Sequence, residues 1–459
     1  MTDNRFSSYD LNSDLISNLD SMGYHTMTPI QEQSLPAMLE GKDVIGQGKT
    51  GSGKTAAFGL TVLHNLRVKR FRVQSLVLCP TRELADQVAT EIRTLGRAIH
   101  NIKVLTLCGG MPMGPQIGSL EHGAHILVGT PGRILDHLNR GRINLDELNT
   151  LVLDEADRML DMGFQDALDA IIDEVPKERQ TLLFSATFPE KIEKIASRIM
   201  NNPQMVKVES KDDKPKIHQS FYKLESKEER IETLKALLLT QKPESSVIFC
   251  NTKKEVQFVA DELYDAGFSV IDLHGDLEQR DRDQALIQFS NKSISILVAT
   301  DVAARGLDVE NLDAVYNYEM SRDPEVHVHR IGRTGRAGAK GTASSFYSDK
   351  EGYKLAVLEE YMDINIRPTT KPEPVYEKPY YAAMTTLQID GGKKQKLRPG
   401  DIVGALTGQG GISGDSVGKI KVLPIRAYVA VAKSDAKVAL KKLESGKMKG
   451  RQFRARILK

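Results

Sequence analysis

The sequence predicts an α/β protein: two tandem doubly wound parallel-sheet units, then a small α+β module. Three observations carry that prediction. Up to about residue 208, short runs of Val, Leu and Ile alternate with longer amphipathic stretches, the rhythm of strand and crossover helix. The same rhythm resumes after a polar, lysine-rich break, Glu209-Ser-Lys-Asp-Asp-Lys-Pro-Lys. A second break, with prolines at 368, 372, 374 and 379, leads into a tail whose order reads β-α-β-β-α-β. A chain of 459 residues suggests about three domains. The expected boundaries are 1–208, a linker at 209–217, 218–367, a Pro-rich linker at 368–383, and 384–459.

In the first unit the strand candidates are 43–46, 75–79, 104–107, 125–128, 150–153 and 181–184. Each is apolar on both faces, as buried parallel strands are. Periodic stretches such as 83–97 and 166–174 supply crossover helices. The second unit offers strands at 246–249, 269–272, 296–299 and 314–317. In the tail the elements fall at 385–389, 399–406, 418–422, 427–432, 435–443 and 453–458.

No apolar run approaches the ~18–20 residues that span a membrane, so no membrane partner is expected. The polar N-terminus lacks a signal-peptide pattern. Cys79, Cys108 and Cys250 are widely spaced, which suggests reduced, buried thiols in a cytoplasmic protein, with no disulfide framework or zinc site. The net charge of +2 hides an asymmetry. Residues 384–459 carry 17 Lys/Arg against 5 Asp/Glu, and the rest carries 46 basic against 56 acidic side chains. A basic module on an acidic body points to a polyanion partner for the tail.

Residues 48–55 read Gly-Lys-Thr-Gly-Ser-Gly-Lys-Thr, the phosphate-loop pattern of two glycines around four residues, then Lys-Thr. Gly48, Gly51 and Gly53 can take angles that side chains forbid. The loop N–H groups, including those of Lys49, Thr50 and Ser52, can then curl around phosphate oxygens. A helix starting at about Lys54 turns its positive end to the same anion. Lys54 would reach the β- and γ-phosphates, and the Thr55 hydroxyl would hold Mg²⁺. The strand at 150–153 runs into Asp154-Glu155-Ala156-Asp157, carboxylates where open α/β sheets bind ligands. Asp154 is the natural Mg²⁺ partner. Glu155 is the candidate to orient and deprotonate an attacking water.

Together with Ser185-Ala-Thr187 and His329-Arg-Ile-Gly-Arg-Thr-Gly-Arg336, these residues resemble the DEAD-box RNA helicases, with motifs in family order from about Phe6 to Phe346. The resemblance implies two RecA-like units. Gly23-Tyr24-His-Thr-Met-Thr-Pro-Ile-Gln31 resembles the adenine-reading Q motif, with Phe6 at its stacking aromatic. That implies Gln31 on the adenine edge, and ATP rather than GTP. Arg333 and Arg336 fall in the arginine-finger motif and would reach the γ-phosphate when the second unit closes on the first. Ser185 and Thr187 would couple the units. Thr300-Asp301 and Gly306-Leu-Asp308 resemble the motif that reads nucleotide and RNA together. Two residues depart from the wider pattern: His327 stands where Tyr is common, and Gly48 where Ala is common. Neither removes a catalytic group.

By the same resemblance, Pro80-Thr81-Arg82, Gly109-Gly110 and Thr130-Pro131-Gly132-Arg133 line a track for the RNA backbone. Asn251-Thr252, His274-Gly275-Asp276, Gln279 and Arg282 continue it in the second unit. Hydroxyls, glycine N–H groups and arginines suit phosphate and 2′-OH contacts that carry no base information.

The tail's element order matches the RNA-recognition fold, so the module is RRM-like. Tyr428 is the only aromatic in its central-strand candidates. A basic surface of Lys393, Lys394, Lys396 and Arg398, with Lys447, Lys449, Arg451, Arg454 and Arg456, is the other candidate RNA contact. Gly391-Gly-Lys-Lys, Arg398-Pro-Gly-Asp, Gly404-Ala-Leu-Thr-Gly, Gly446-Lys-Met-Lys-Gly and Leu273-His-Gly-Asp-Leu-Glu-Gln-Arg-Asp-Arg-Asp resemble the bacterial DbpA subgroup of the family. That implies binding to a hairpin of large-subunit (23S) rRNA, near the peptidyl-transferase centre, in pre-ribosomal particles. The expectation is a monomeric RNA-stimulated ATPase that uses ATP and Mg²⁺ to unwind short duplexes during large-subunit assembly. The alternative is an ATP-timed RNA clamp or annealing factor. A DNA translocase is opposed by the Q motif, and a metabolic kinase leaves the second unit unexplained.

Overall fold

The computed structural model describes residues 4–48, 51–208, 217–304, 312–335 and 341–458. They fall into two compact units, within 4–208 and 217–458. Of the expected site residues, Lys49, Thr50, Asp308 and Arg336 lie outside the described residues.

The first unit holds seven strands: β1 (Val44–Gln47), β2 (Ser75–Leu78), β3 (Val104–Leu107), β4 (Ile126–Gly129), β5 (Thr150–Asp154), β6 (Gln180–Ser185) and β7 (Gln204–Lys207). All pair in parallel, in the order β3-β4-β2-β5-β6-β1-β7. Alternate strand residues feed two separate cores. Val44, Val77, Val152 and Leu182 face one; Ile45, Leu76, Leu151 and Leu183 face the other. Helices cover both sides, which is why these strands read as continuous apolar runs. Gln47 pairs with Ser185 and Asp154 with Phe184, so β1, β6 and β5 end nearly level at their carboxyl edge.

The second unit carries β8 (Ile217–Lys223), β9 (Ser246–Cys250), β10 (Val270–Leu273), β11 (Ile296–Thr300), β12 (Ala314–Asn317) and β13 (Gly341–Tyr347), parallel in the order β10-β11-β9-β12-β13-β8. The tail folds into an antiparallel sheet of β14 (Met384–Ile389), β15 (Val417–Val422), β16 (Ala427–Ala432) and β17 (Ala455–Ile457), ordered β15-β16-β14-β17. Helices Pro399–Thr407 and Ala436–Ser445 cover one face of this sheet around Leu387, Ile389, Val429 and Val431.

The prolines between the second parallel sheet and the tail fix φ along this stretch, and main-chain and side-chain contacts fasten it along the way. The Thr369 N–H donates to the Phe221 carbonyl at 2.7 Å. Val375 and Tyr380 pack on the apolar cluster around Leu234 and Ile248. Lys433 then sits 4.3 Å from the Tyr381 ring centroid. The tail sheet's second face is also covered. Asn291 Nδ2 donates to Thr386 Oγ1 at 3.1 Å, and Ser293 Oγ lies 2.7 Å from the same hydroxyl. Thr386, Gln388, Tyr428 and Ala430 on this face are each 2% exposed or less. Tyr428, expected as an RNA contact, is therefore turned into the packed interior, because tertiary contact has claimed the face on which it stands.

Candidate nucleotide and RNA site

The chain leaves β1 at Gly48 and enters the helix Lys54–His64 through Gly53, whose φ of +93° only glycine tolerates readily. A β-carbon there would lie 2.5 Å from Gln31 Nε2, so the position is closed sterically as well. Two side chains brace the loop from behind. Thr28 Oγ1 donates to the Ser52 carbonyl at 2.8 Å, and Gln31 Nε2 donates to the Gly53 carbonyl at 3.0 Å. The Gln31 carbonyl oxygen accepts the Thr28 N–H at 2.8 Å. Gln31, expected on the adenine edge, is in this structure the brace of the phosphate loop. Phe6 lies in the first core beside this segment, and Tyr24 is exposed.

A nucleotide phosphate chain fits these residues. Lys54 is buried, with Nζ donating to the Gly48 carbonyl at 2.6 Å, a bond that a phosphate oxygen can take over. Ser52 Oγ is buried without a hydrogen-bond partner. At the end of β5, burial and the neighbouring Glu155 charge push the Asp154 carboxyl up to about 7, against the pull of Lys54. A divalent cation is what would favour its ionised form.

The sheet order explains the coupling residues. β6 lies between β1 and β5, so its end touches both. The Ser185 carbonyl accepts the Gly48 N–H at 3.1 Å, and Ser185 Oγ accepts the Asp157 N–H at 3.4 Å. Asp157 Oδ2 accepts from the Thr187 N–H at 3.0 Å and from its hydroxyl at 2.8 Å. Burial opposes ionisation of Asp157, but these bonds outweigh it and hold the carboxyl below its usual range.

The expected RNA residues of this unit follow β2, β3 and β4, at the other half of the same carboxyl edge. Thr130 Oγ1 accepts the Gly109 N–H at 3.4 Å, and Arg133 Nη1 donates to the Met111 carbonyl at 3.1 Å. Gly110 has φ +70°, and a β-carbon there would lie 1.9 Å from Arg82 Nη1. Thr81 caps the helix Arg82–Leu95 by accepting the Leu84 N–H. The structure thus brings Pro80–Arg82, Gly109–Gly110 and Thr130–Arg133 together.

In the second unit the expected residues again follow neighbouring strands β10, β11 and β9. Their organiser, Arg330, was not among the residues singled out from sequence. Its guanidinium donates to both Asp301 oxygens at 2.6 and 2.7 Å, to Asn251 Oδ1 at 2.9 Å and to the Glu319 carbonyl at 2.7 Å. Thr252 caps the helix Lys253–Asp265, and Thr300 accepts the Ala303 N–H. His274 Nε2 lies 3.1 Å from Asp272, Asp276 pairs with Lys253, Gln279 bonds Asp283, and Arg282 donates to the Ala303 carbonyl. Arg333 is buried in this unit. His327 is buried too, with Nε2 3.3 Å from Gln219 Oε1, and no cluster fit for a metal ion occurs among the described residues.

In the tail, Lys393, Lys394, Lys396, Arg398, Lys447, Lys449 and Arg451 are exposed. Two contacts bring their loops together: Lys449 lies 3.2 Å from Asp401, and the Asp390 N–H donates to the Arg454 carbonyl at 2.9 Å.

Three families match in chain order: DEAD/DEAH box helicase over 28–195, Helicase conserved C-terminal domain over 229–338, and DbpA RNA binding domain over 386–457. The chain belongs to the DEAD-box family, and it is an ATP-dependent RNA helicase. It is similar to the ATP-dependent RNA helicase DbpA of Escherichia coli, at 54% identity over 97% of each chain. It is 38% identical to the ATP-dependent RNA helicase DbpA of Bacillus subtilis over 98% of each. Among solved structures, S. cerevisiae Dbp5 bound to RNA and ADP BeF3 matches with a TM-score of 0.72 and 31% identity, covering 80% of this chain and 96% of that one. No helix among the described residues is long and apolar enough to cross a membrane.

Proposed function

We propose that this helicase separates short RNA duplexes beside a hairpin of large-subunit (23S) rRNA in pre-ribosomal particles, and that its tail chooses the site. The observation that carries the reading is the divided edge of the seven-stranded sheet. The residues read as phosphate contacts follow β1, β5 and β6, those read as RNA contacts follow β2, β3 and β4, and one parallel sheet carries both sets. Lys54, Ser52 and the loop N–H groups hold the phosphates; Thr55 and Asp154 hold Mg²⁺, which when bound neutralises phosphate charge. Glu155 orients the attacking water. Arg333 and Arg336 stabilise charge on the transferring phosphoryl group, a contribution worth ~10³–10⁵ in rate in the general template. The Ser185–Asp157–Thr187 bonds tie the phosphate loop to the carboxylates.

The tail reads RNA through its exposed basic loops at 391–398 and 446–454, since its sheet faces are both covered. The test crosslinks the full chain, and the variant with Lys393, Lys394, Lys447 and Lys449 changed to Glu, to total cellular RNA. The intact chain should enrich one 23S hairpin. The variant should lose that preference while keeping ATPase stimulation by unselected RNA. An unchanged preference in the variant would clear these loops of the role.

A further inference from the structure

Each carboxylate of the 154–157 cluster has its own counterpart in the fold. Asp154 lies within the field of Lys54, and Asp157 is bound by Thr187 and the Ser185 side. Glu155 has a different one. Arg158 Nη1 donates to Glu155 Oε2 at 2.8 Å, and the two side chains are 9% and 8% exposed. A buried ion pair that close is directional, because little water competes for either group.

The backbone adds a second constraint. Glu155 sits at φ +51°, ψ +51°, a left-handed conformation uncommon for a residue with a side chain. It occupies the junction where β5 gives way to the helix Ala156–Asp161, whose first turn carries Arg158. The backbone at Arg158 is itself held, since its main-chain N–H donates to Asp157 Oδ1 at 3.0 Å. Main chain and ion pair therefore fix the same carboxylate from two directions. Only Oε2 is engaged by the arginine, which leaves Oε1 for another donor.

We propose that Arg158 is a positioning residue for ATP hydrolysis: it grips Glu155 through Oε2 and aims Oε1 at the attacking water. This rests on the reading of Glu155 as the water-orienting base. A guanidinium suits the task because its planar fork fixes direction as well as charge. Alignment of this kind is a large part of what a general base contributes, ~10²–10⁴ in rate.

The test is a double-mutant cycle of Glu155→Gln and Arg158→Gln in the full chain, with Arg158→Lys alongside. RNA-stimulated turnover, the KM for ATP and thermal unfolding are read for each. Arg158→Gln should lower kcat about 10- to 100-fold with KM within about twofold. Arg158→Lys should recover part of the loss. In the Glu155→Gln background, Arg158→Gln should cost nothing further, because the aimed group is gone. If Glu155→Gln leaves turnover unchanged, the base assignment fails and takes this proposal with it. If Glu155→Gln is impaired but Arg158→Gln turns over normally, or faster without RNA, the proposal alone fails. Losses that add in the double variant, together with a lowered unfolding temperature and no rescue by Lys, would assign Arg158 to the scaffold instead.

Discussion

Arg330→Met removes the buried centre of the second unit's expected RNA edge while keeping an unbranched side chain against Phe249, whose ring lies 5.2 Å from the guanidinium. The arginine side chain is 1% exposed and its partner Asp301 24%. Four strong bonds disappear, and the Asp301 carboxylate and the Asn251 and Glu319 oxygens lose their shared donor. Breaking a buried pair on one side costs ~3–5 kcal/mol, mostly as the stranded charge. A unit of this size loses ~2–4 °C of melting temperature per kcal/mol, so its transition should fall by ~6–20 °C. The chain contains no tryptophan, so calorimetry or circular dichroism is the appropriate probe. Asn251 and Asp301 lose their fixed geometry, so RNA stimulation of the ATPase should vanish while ATP still binds the first unit. Arg330→Lys should not restore it, because an ammonium cannot span these acceptors. A transition shifted by under about 2 °C, with RNA stimulation intact, would refute the assignment of Arg330 as organiser.

Lys54→Ala should weaken ATP binding by ~10- to 150-fold, the loss of one charge-assisted bond at ~1.5–3 kcal/mol; titration calorimetry reads it, and normal affinity would exclude Lys54 from the phosphates. Glu155→Gln should retain ATP and RNA affinity but turn over ~10²–10⁴ times more slowly, as steady-state ATPase assays will measure. His327 gives the pH dependence. Burial, reinforced by Arg330, lowers its pKa to about 3. The unfolded chain takes up a proton near pH 6.5 that the folded chain refuses, so stability is flat above that pH and falls below it, by ~2 kcal/mol at pH 5. His327→Tyr should flatten denaturant midpoints between pH 5 and 7; an unchanged slope would place the acid sensitivity elsewhere.

Strands such as β2, β5, β9 and β11 were legible because burial on both faces leaves an uninterrupted apolar run. β13 was not. It reads Gly-Thr-Ala-Ser-Ser-Phe-Tyr, and its buried Ser345 is satisfied across the sheet by Asn317 Nδ2 at 2.9 Å, a pairing no local pattern announces. β7 and β8 were missed for a related reason: edge strands bury only part of themselves and keep polar residues. The candidate nucleotide loop was legible through spacing, since glycines and a Lys-Thr pair in fixed order have few other uses. Arg158 and Arg330 were not, because a single arginine beside other charges resembles a solvated face until tertiary contacts enclose it. For Arg158, the three-residue interval from Glu155 was the available signal. Tyr428 misled for the opposite reason. Its position on a central strand was right, but only the neighbouring turn at 291–293 decides whether that face meets RNA or protein.

The three thiols have a practical corollary. Cys79, Cys108 and Cys250 are almost wholly buried, and burial raises all three, Cys108 to about 12. At neutral pH burial disfavours the thiolate that would meet a maleimide or a peroxide, so the natural chain should stay largely silent toward both. Fluorophores can therefore be attached at one introduced surface cysteine per unit without first stripping out the native ones. The same silence makes an alkylating reagent a reporter of unfolding, because native thiols become reactive only when the strands that shelter them come apart.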